Sequence, residues 1–499
     1  MAINQNDIIY FIVTDRFYGV ENPDKIISNK IDKSNPFKYH GGNFDGIIEK
    51  IPYLKKLGIT CLWITPVYTQ LDLEKVDAYH GYWALDFNAI NPMLYIDNKK
   101  HTAGSKLYLK DLIDELHKNG IKLILDMVVN HTGYNHPGLK NEETNPTPIQ
   151  THWFHNSNVS LDHDEITGQL AGLPDFDLDN SDICDYHIQT IISWIRETGI
   201  DAVRMDTVKH VEFEFWNQYK TLVKGLYPDI SLLGEVLVFD IEKLSSFQKY
   251  SAFDQLFDFP MQEAIKKAFI EDTPLTSFVS PFNQGYGILE KDKSYTNHNK
   301  LVTLLDNHDL YARYMTFILQ KHNDIKIAEK IMKVSLTFMF SIRGIPQIFY
   351  GTEIGLQGAQ DPDNRRDMRW EIFDKNYDVK PEYEVEKSIF DHTCKLVEIR
   401  KKYNSLTSGY TVCLYVDNYI LVFLRYIDNE VTINAFHNGW WDMPEEIKIN
   451  TNLNGNIPVR IRKLIENIKF KCGVSDKELQ LENGEFTLKM KAKDGHIFV

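Results

Sequence analysis

Four short apolar runs in this chain end in acids, amides and imidazoles. One closes in Asp126-Met-Val-Val-Asn130-His131 and a second in Arg204-Met-Asp206-Thr-Val-Lys209-His210. A third ends Gly234-Glu235-Val236, and a fourth runs into Asp306-Asn307-His308-Asp309. Side chains alternate along an extended segment, so Arg204 and Asp206 point the same way, and a guanidinium beside a carboxylate favours its ionised form. One ionised carboxylate next to another that can keep its proton is the pair that cleaves a glycosidic bond with retention of configuration. A lone acid at a strand end is most often a cap or an ion-pair partner. Three such acids, Asp206, Glu235 and Asp309, with two His-bearing loops beside them, favour chemistry.

Chemistry from separate runs needs a scaffold that gathers strand ends. Short apolar runs recur at Ile8–Val13, Ile59–Ile64, Lys122–Val128, Asp201–Met205, Ser231–Val236, Ala252–Phe257, Leu301–Leu305 and Ile345–Tyr350. Amphipathic stretches of helical period lie between them, among them Leu107–Lys118, Tyr186–Glu197, Phe215–Leu226 and Ala328–Phe340. Gly58, Gly120 and Gly199 stand where helices should stop. Eight alternating units predict an α/β fold, a (β/α)8 TIM barrel whose strands end at one catalytic mouth. An open doubly wound sheet would carry a glycine-rich turn after its first strand, and Thr14-Asp15-Arg16-Phe17 is no such turn. Some fifty polar residues follow the third strand, which predicts a small excursion domain over the barrel mouth. After Asn404 the period changes to alternation, which predicts a C-terminal antiparallel β-sandwich. The expected division is residues 1–130 and 179–404 for the barrel, 131–178 for the excursion and 405–499 for an all-β domain.

Composition narrows the partners. The 499 residues are 43% hydrophobic and 25% charged, and the balance 55 − 70 = −15 repels phosphate backbones and anionic membranes. No run of five Lys/Arg occurs, so nucleic acid is not expected as a partner. Five scattered cysteines, without C-x-x-C or Cys/His spacing, argue against disulfides and zinc. Val334–Ile342 is the most apolar later segment and falls short of a membrane span. The N-terminus lacks a signal-peptide pattern. The expectation is a monomer without a membrane partner, cytoplasmic, or secreted with its signal peptide removed. The sequon Asn130-His131-Thr132 fits poorly with a eukaryotic secretory route.

In this order the motifs resemble those of the α-amylase family, glycoside hydrolase family thirteen, over essentially the whole chain. They are Gly58-Ile-Thr60 with Trp63-Ile-Thr-Pro66, Tyr79-His80-Gly81-Tyr82-Trp83, Asp126 with Asn130-His131, Leu173-Pro174-Asp175, and Arg204 through His210. Gly234-Glu235-Val236, Asn307-His308-Asp309 and Gly344-Ile-Pro346 with Tyr350-Gly351 complete the set. The resemblance implies Asp206 as nucleophile, Glu235 as general acid/base and Asp309 as a third carboxylate that clamps sugar hydroxyls. It implies Arg204 as the group that keeps Asp206 ionised, and His131 and His308 as hydrogen-bond partners of the sugar. Tyr82 would stack beneath that sugar with Trp83 and His80 beside it. Lys209 and His210 would line the leaving-group side, and Asp361 and Arg365 would border the same subsite. It also implies Ca2+, held by Asn130, Asp175 and the main-chain carbonyl of His210. The further ligand would come from the excursion, where Asp162 and Asp164 both qualify; oxygen donors of mixed type are what this ion prefers.

The function expected on this basis is an endo-acting α-amylase that hydrolyses α-1,4 bonds in starch, glycogen or maltodextrins. A maltogenic, cyclodextrin-forming or cyclodextrin-hydrolysing transglycosylase shares the motifs. Against it stand Val236-Leu237, where cyclising relatives carry an aromatic pair, and the absence of further modules after one C-terminal domain. A catalytically dead barrel serving as a binding subunit would have lost carboxylates that this chain retains.

Overall fold

All four residues of β1 (Ile9–Ile12) are apolar and buried, as a strand covered on both faces requires. The same holds for β2 (Cys61–Ile64). They are followed by β3 (Lys122–Met127), β4 (Ala202–Met205), β5 (Ser231–Gly234), β6 (Gln255–Leu256), β7 (Val302–Leu304) and β8 (Ile345–Phe349). The computed structural model describes residues 2–140, 145–155, 164–279 and 291–499. Its parallel ladder runs β6-β5-β4-β3-β2-β1-β8-β7. A parallel bridge between Phe257 and Val302 closes the seam, with the Asp258 N–H donating to the Val302 carbonyl at 2.8 Å. The sheet is therefore a barrel, with no topological switch point of the doubly wound kind.

Helices fill the intervals where periodicity placed them: Leu107–Lys118, Ser181–Thr198, Phe213–Leu226 and Ile325–Ser341. Each end has a local cause. The Asn180 side chain accepts the Asp182 N–H, Asp324 accepts from Lys326 and Ile327, and Gly199 ends its helix in the left-handed region at φ 75°. The barrel interior is aromatic. Phe11 stacks on Trp63 with centroids 3.6 Å apart and on Phe349 at 5.1 Å.

Two insertions shape the mouth. A hairpin, Tyr68–Gln70 with Ala84–Ile90, follows β2 and carries residues 79–83 in its connecting segment. Strand periodicity alone did not reveal it. The excursion after β3 holds short helical turns at Pro137–Lys140, Thr151–Trp153 and Leu170–Gly172. Bridges His131–Asp175 and Phe154–Phe176 stitch its two ends together.

The C-terminal part is a four-stranded antiparallel sheet of Tyr410–Val416, Ile420–Ile427, Glu430–His437 and Asp494–Phe498, joined by smaller two-stranded ladders. Alternation divides its side chains between two cores. Leu421, Phe423 and Phe436 pack with the barrel, whereas Val422, Leu424 and Ala435 face the domain's own core. A helix, Val459–Ile465, also lies in this part, which alternation did not foretell. Among the described residues no helix is long and apolar enough to cross a membrane.

Next to the seam sits a buried charge. Arg343 is fully enclosed; its Nη1 donates to Asp258 Oδ2 and its Nε to Asp292 Oδ1 at 2.7 Å. Asp258 meanwhile caps the helix Phe259–Phe269 by accepting the Met261 N–H at 3.1 Å. Removing one partner strands the other charge in the interior, so Arg343→Met should destabilise the fold by about 3–5 kcal/mol. Chemical denaturation of the variant checks this; a loss below about 1 kcal/mol would show the pair to be dispensable.

Candidate active site

β3, β4 and β5 bring Asp126, Arg204, Asp206 and Glu235 to one end of the barrel. The ladder extends beyond the strands: the Asp206 N–H donates to the Met127 carbonyl at 2.9 Å and the Glu235 N–H to Met205 at 3.0 Å. Arg204 has no exposed surface. Its Nη1 donates to Asp126 Oδ1 at 2.8 Å and to Asp206 Oδ1 at 2.7 Å, while Nη2 lies 2.9 Å from Glu235 Oε2. The other oxygen of Asp126 accepts from the Trp63 indole at 3.1 Å and the Tyr82 hydroxyl at 2.8 Å. Sequence reading assigned Asp126 no role, although an acid inside an otherwise apolar buried strand is itself a signal.

Burial sets the proton inventory. It lifts Asp126 to about 6 against the pull of Arg204. It lifts Asp309 to about 7, helped by the charge of Glu235. Asp206 is pushed well above the usual carboxylate range by burial, with the Arg204 charge opposing. Burial works against the charge on Arg204 too, but the surrounding acids outweigh it and keep the guanidinium protonated. Acids this close titrate together, so the upward shift belongs to the cluster rather than to any one of them.

The acids open onto a cleft of about 550 Å3. Asp206, Glu235 and Asp309 line it, as do His80, Tyr82, Trp83, His131, Lys209, His210, Asp361 and Arg365. Arg204 and His308 do not. Both are fully buried and stand behind the cleft, where His308 meets the Tyr82 hydroxyl at 2.7 Å. The ring of Tyr82 lies near-parallel to His80 and His308, with centroids 5.8 and 5.3 Å away. Burial pushes His131 down to about 4 and holds His80 and His308 below the usual imidazole range. These rings are therefore neutral hydrogen-bonding groups, and His131 Nε2 has no hydrogen-bond partner among the described residues. Tyr134, Leu170 and Ala171 also line the cleft and were not foreseen, because loop geometry decides their placement; Leu173, Thr207 and Leu237, from the quoted motifs, line it too.

Local backbone devices hold the key side chains. Thr207 turns the chain after β4 in the left-handed region at φ 49°, which aims its N–H at Glu235 Oε2, 3.2 Å away. Gly234 precedes Glu235 because a Cβ there would come within 2.7 Å of the Phe253 ring. Asn307 accepts the N–H groups of Asp309 and Leu310 at 3.0 and 2.9 Å and so fixes the turn after β7. Arg365 pairs with Asp309 at 3.4 Å and Asp361 at 3.2 Å, and it also donates to the His308 carbonyl.

Beside the cleft, the neck of the excursion gathers polar groups. Asn130 Nδ2 donates to Asp175 Oδ1 at 2.7 Å, and both residues are buried. His155, absent from the sequence-based candidates, binds the other oxygen of Asp175 through Nδ1 at 2.8 Å. Its Nε2 faces Glu212 at 3.3 Å and Asp177 at 3.5 Å, and bonds to Asp175 and Glu212 push the imidazole up to about 10. Asp162 lies outside the described residues, and the Asp164 carboxylate caps Ile166 and Thr167. Glu165 joins this region to the leaving side of β4: it pairs with Lys209 at 3.1 Å, and its carbonyl meets His210 Nδ1 at 2.8 Å.

The raised position of Asp309 has a consequence for stability. A carboxyl raised on folding costs nothing at a pH below its unfolded value of about 3.9, and its cost grows until the folded value is passed. Asp309→Asn removes that cost. The variant should therefore gain more melting temperature relative to wild type at pH 8 than at pH 4. Equal gains at both pH values would show that Asp309 carries no such shift.

Three comparisons place this geometry among known proteins. The family described as "Alpha amylase, catalytic domain" matches residues 11–409. A beta/alpha-amylase of Paenibacillus polymyxa is 29% identical over 98% of this chain and 37% of its own length. A cyclomaltodextrin glucanotransferase of Bacillus sp. (strain 38-2) is 28% identical over 86% of this chain and 59% of its own. The chain thus spans only 37% and 59% of the lengths of these curated relatives. The crystal structure of an Anoxybacillus alpha-amylase is 31% identical and superposes with a TM-score of 0.82, covering 99% of this chain and 97% of that one. On this evidence the chain belongs to the α-amylase family, glycoside hydrolase family thirteen.

Proposed function

We propose that the cleft hydrolyses α-1,4-glucosidic bonds of starch, glycogen or maltodextrins with retention of configuration. The observation that carries this is the single guanidinium, Arg204, with Asp206 on one terminal nitrogen and Glu235 at the other, both open to the cleft. A retaining site needs its two carboxyls about 5–5.5 Å apart, against about 6.5–9.5 Å where a water must fit, and a shared guanidinium holds Asp206 and Glu235 near one another as the shorter spacing requires. Asp206, in the ionised form that the Arg204 charge favours against burial, attacks the anomeric carbon while Glu235 protonates the departing oxygen. Glu235 then takes a proton from the water that releases the sugar. Asp309 and His131 hold ring hydroxyls, and the neutral imidazole does so without adding a charge that would stabilise the resting carboxylates.

A second function, transfer to a sugar acceptor or action on cyclodextrins, is favoured by the cyclomaltodextrin glucanotransferase relative. The apolar Leu237 beside Glu235 is the cleft residue placed to influence which acceptor enters. Both activities retain configuration, so one experiment separates them and tests the whole proposal. With amylose, proton NMR should show the α-anomer first, and linear products of mixed length should accumulate. Glu235→Gln should lower turnover by about 10²–10⁴-fold. Early β-anomer would overturn retention, and early cyclic products or faster turnover of cyclodextrins would favour the second function.

We further propose that the neck binds Ca2+. Asn130 and Asp175 stand side by side in a buried position, with Asn130 Nδ2 donating to Asp175 Oδ1 at 2.7 Å, and the oxygens of these two groups, with the His210 carbonyl that the family resemblance implies, are the donor chemistry of a hard cation. The ion would pin the excursion to the barrel. Because an ion bound only by the folded state stabilises it by mass action, a strong chelator should lower the melting temperature and added Ca2+ restore it. An unmoved melting curve, with no calcium in elemental analysis, would remove the ion.

A further inference from the structure

Away from the cleft, three large aromatic rings stand exposed together on the C-terminal sheet. Tyr419 is 47% exposed, Trp440 41% and Trp441 48%. None of them lines the cleft. Two connections converge here: the turn before Ile420–Ile427 and the loop after Glu430–His437, joined by the Asn438 N–H donating to the Tyr419 carbonyl at 2.7 Å. Tyr419 meets Trp441 edge to face with centroids 5.0 Å apart.

The Trp440 indole is braced. Its N–H donates to Asp272 Oδ2 at 3.2 Å. The Lys493 ammonium sits 4.2 Å from its ring centroid, and His322 packs at 4.9 Å. Lys493 is in turn fixed by Asp272 and by Asn438 Oδ1 at 2.8 Å. An apolar ring held in one orientation while it stays in water gains little from folding, and exposed aromatic clusters mark binding surfaces. Rigid Trp and Tyr rings are also the side chains that dominate recognition, because little entropy is lost on binding.

The surroundings choose the ligand. Asp272 accepts the Trp440 indole N–H and Asp417 the Tyr419 N–H at 2.8 Å, in a chain of net charge −15, which disfavours an anionic partner or an acidic lipid surface. Carboxylates beside flat rings suit a neutral, hydroxyl-rich ligand: the rings cover its C–H faces and the acids accept its hydroxyl hydrogens. We propose that Tyr419, Trp440 and Trp441 form a second α-glucan-binding site that holds polymeric substrate apart from the cleft. This rests on the α-glucan specificity proposed above.

The test uses the whole chain. Retardation of wild type and of Trp440→Ala/Trp441→Ala in native gels containing soluble starch measures binding of the polymer. Turnover of a short soluble maltooligosaccharide reports the cleft, and light scattering reports mass in solution. The double variant should lose about tenfold in starch affinity, as removal of an aromatic anchor does elsewhere. Its turnover of the short substrate and its mass should match wild type. Tyr419→Ala should weaken starch binding in the same direction, and Trp441→Phe should retain most of it. Unchanged retardation in the double variant would overturn the site. A loss accompanied by conversion of a dimer to a monomer would overturn it in favour of an interface between two copies. Failure of wild type to cleave the short substrate would count against the α-glucan function itself, a result separable from either.

Discussion

A guanidinium enclosed inside a barrel must be matched by acids, and the mouth of this structure is built on that requirement. Arg204 is held between Asp126, Asp206 and Glu235 on three neighbouring strands. The register of β3 and β4, which pairs Asp126 with Arg204, is what places the lowest of these acids. Breaking such a group by removing one partner is costly, whereas the intact group orients every carboxyl around it. The position of Asp206 and Glu235 therefore follows from charge compensation as much as from strand geometry.

Beneath the acids lies an aromatic floor, and beside them stand neutral imidazoles. Phe11, Trp63 and Phe349 stack inside the barrel, and the Arg204 guanidinium lies 5.2 Å above the Trp63 ring. The Trp63 indole and the Tyr82 hydroxyl then take up the lone pairs of Asp126 that Arg204 leaves free. Excluding water in this way strengthens each charge contact but makes full ionisation expensive, which is why Asp126, Asp206 and Asp309 all hold their protons more tightly than exposed acids. A site that must donate and accept protons is served by that balance.

The excursion contributes by fixing loops. His155 links Asp175 to Glu212, and Glu165 links Lys209 to Lys243. Both connections run from the excursion to the segment after β4, so the side chains of Lys209 and His210 are positioned from two directions. Tyr134 adds a third tie by donating to the Ala171 carbonyl at 2.7 Å, at a residue held with φ 51° on the cleft wall.

How much of this was legible in the chain depends on the range of the interactions involved. Strands and helices of the barrel follow from period and turn residues, which are local, and their boundaries moved by only a few residues. The acids at strand ends were legible for the same reason: a strand end is a local feature, and the barrel carries all its strand ends to one mouth. Non-local contacts were not legible. The hairpin at Tyr68–Gln70 and Ala84–Ile90 has irregular register and no clean alternation. The placement of Arg204 and His308 behind the cleft depends on packing against rings from other strands. The partnership of His155 with Asp175, Asp177 and Glu212 joins residues separated by 20, 22 and 57 positions. Residue type and spacing determine which groups can do chemistry. Which of them face the cleft, and which acids keep a proton there, is decided by burial and by neighbours distant in the chain, and these exist only once the barrel has closed.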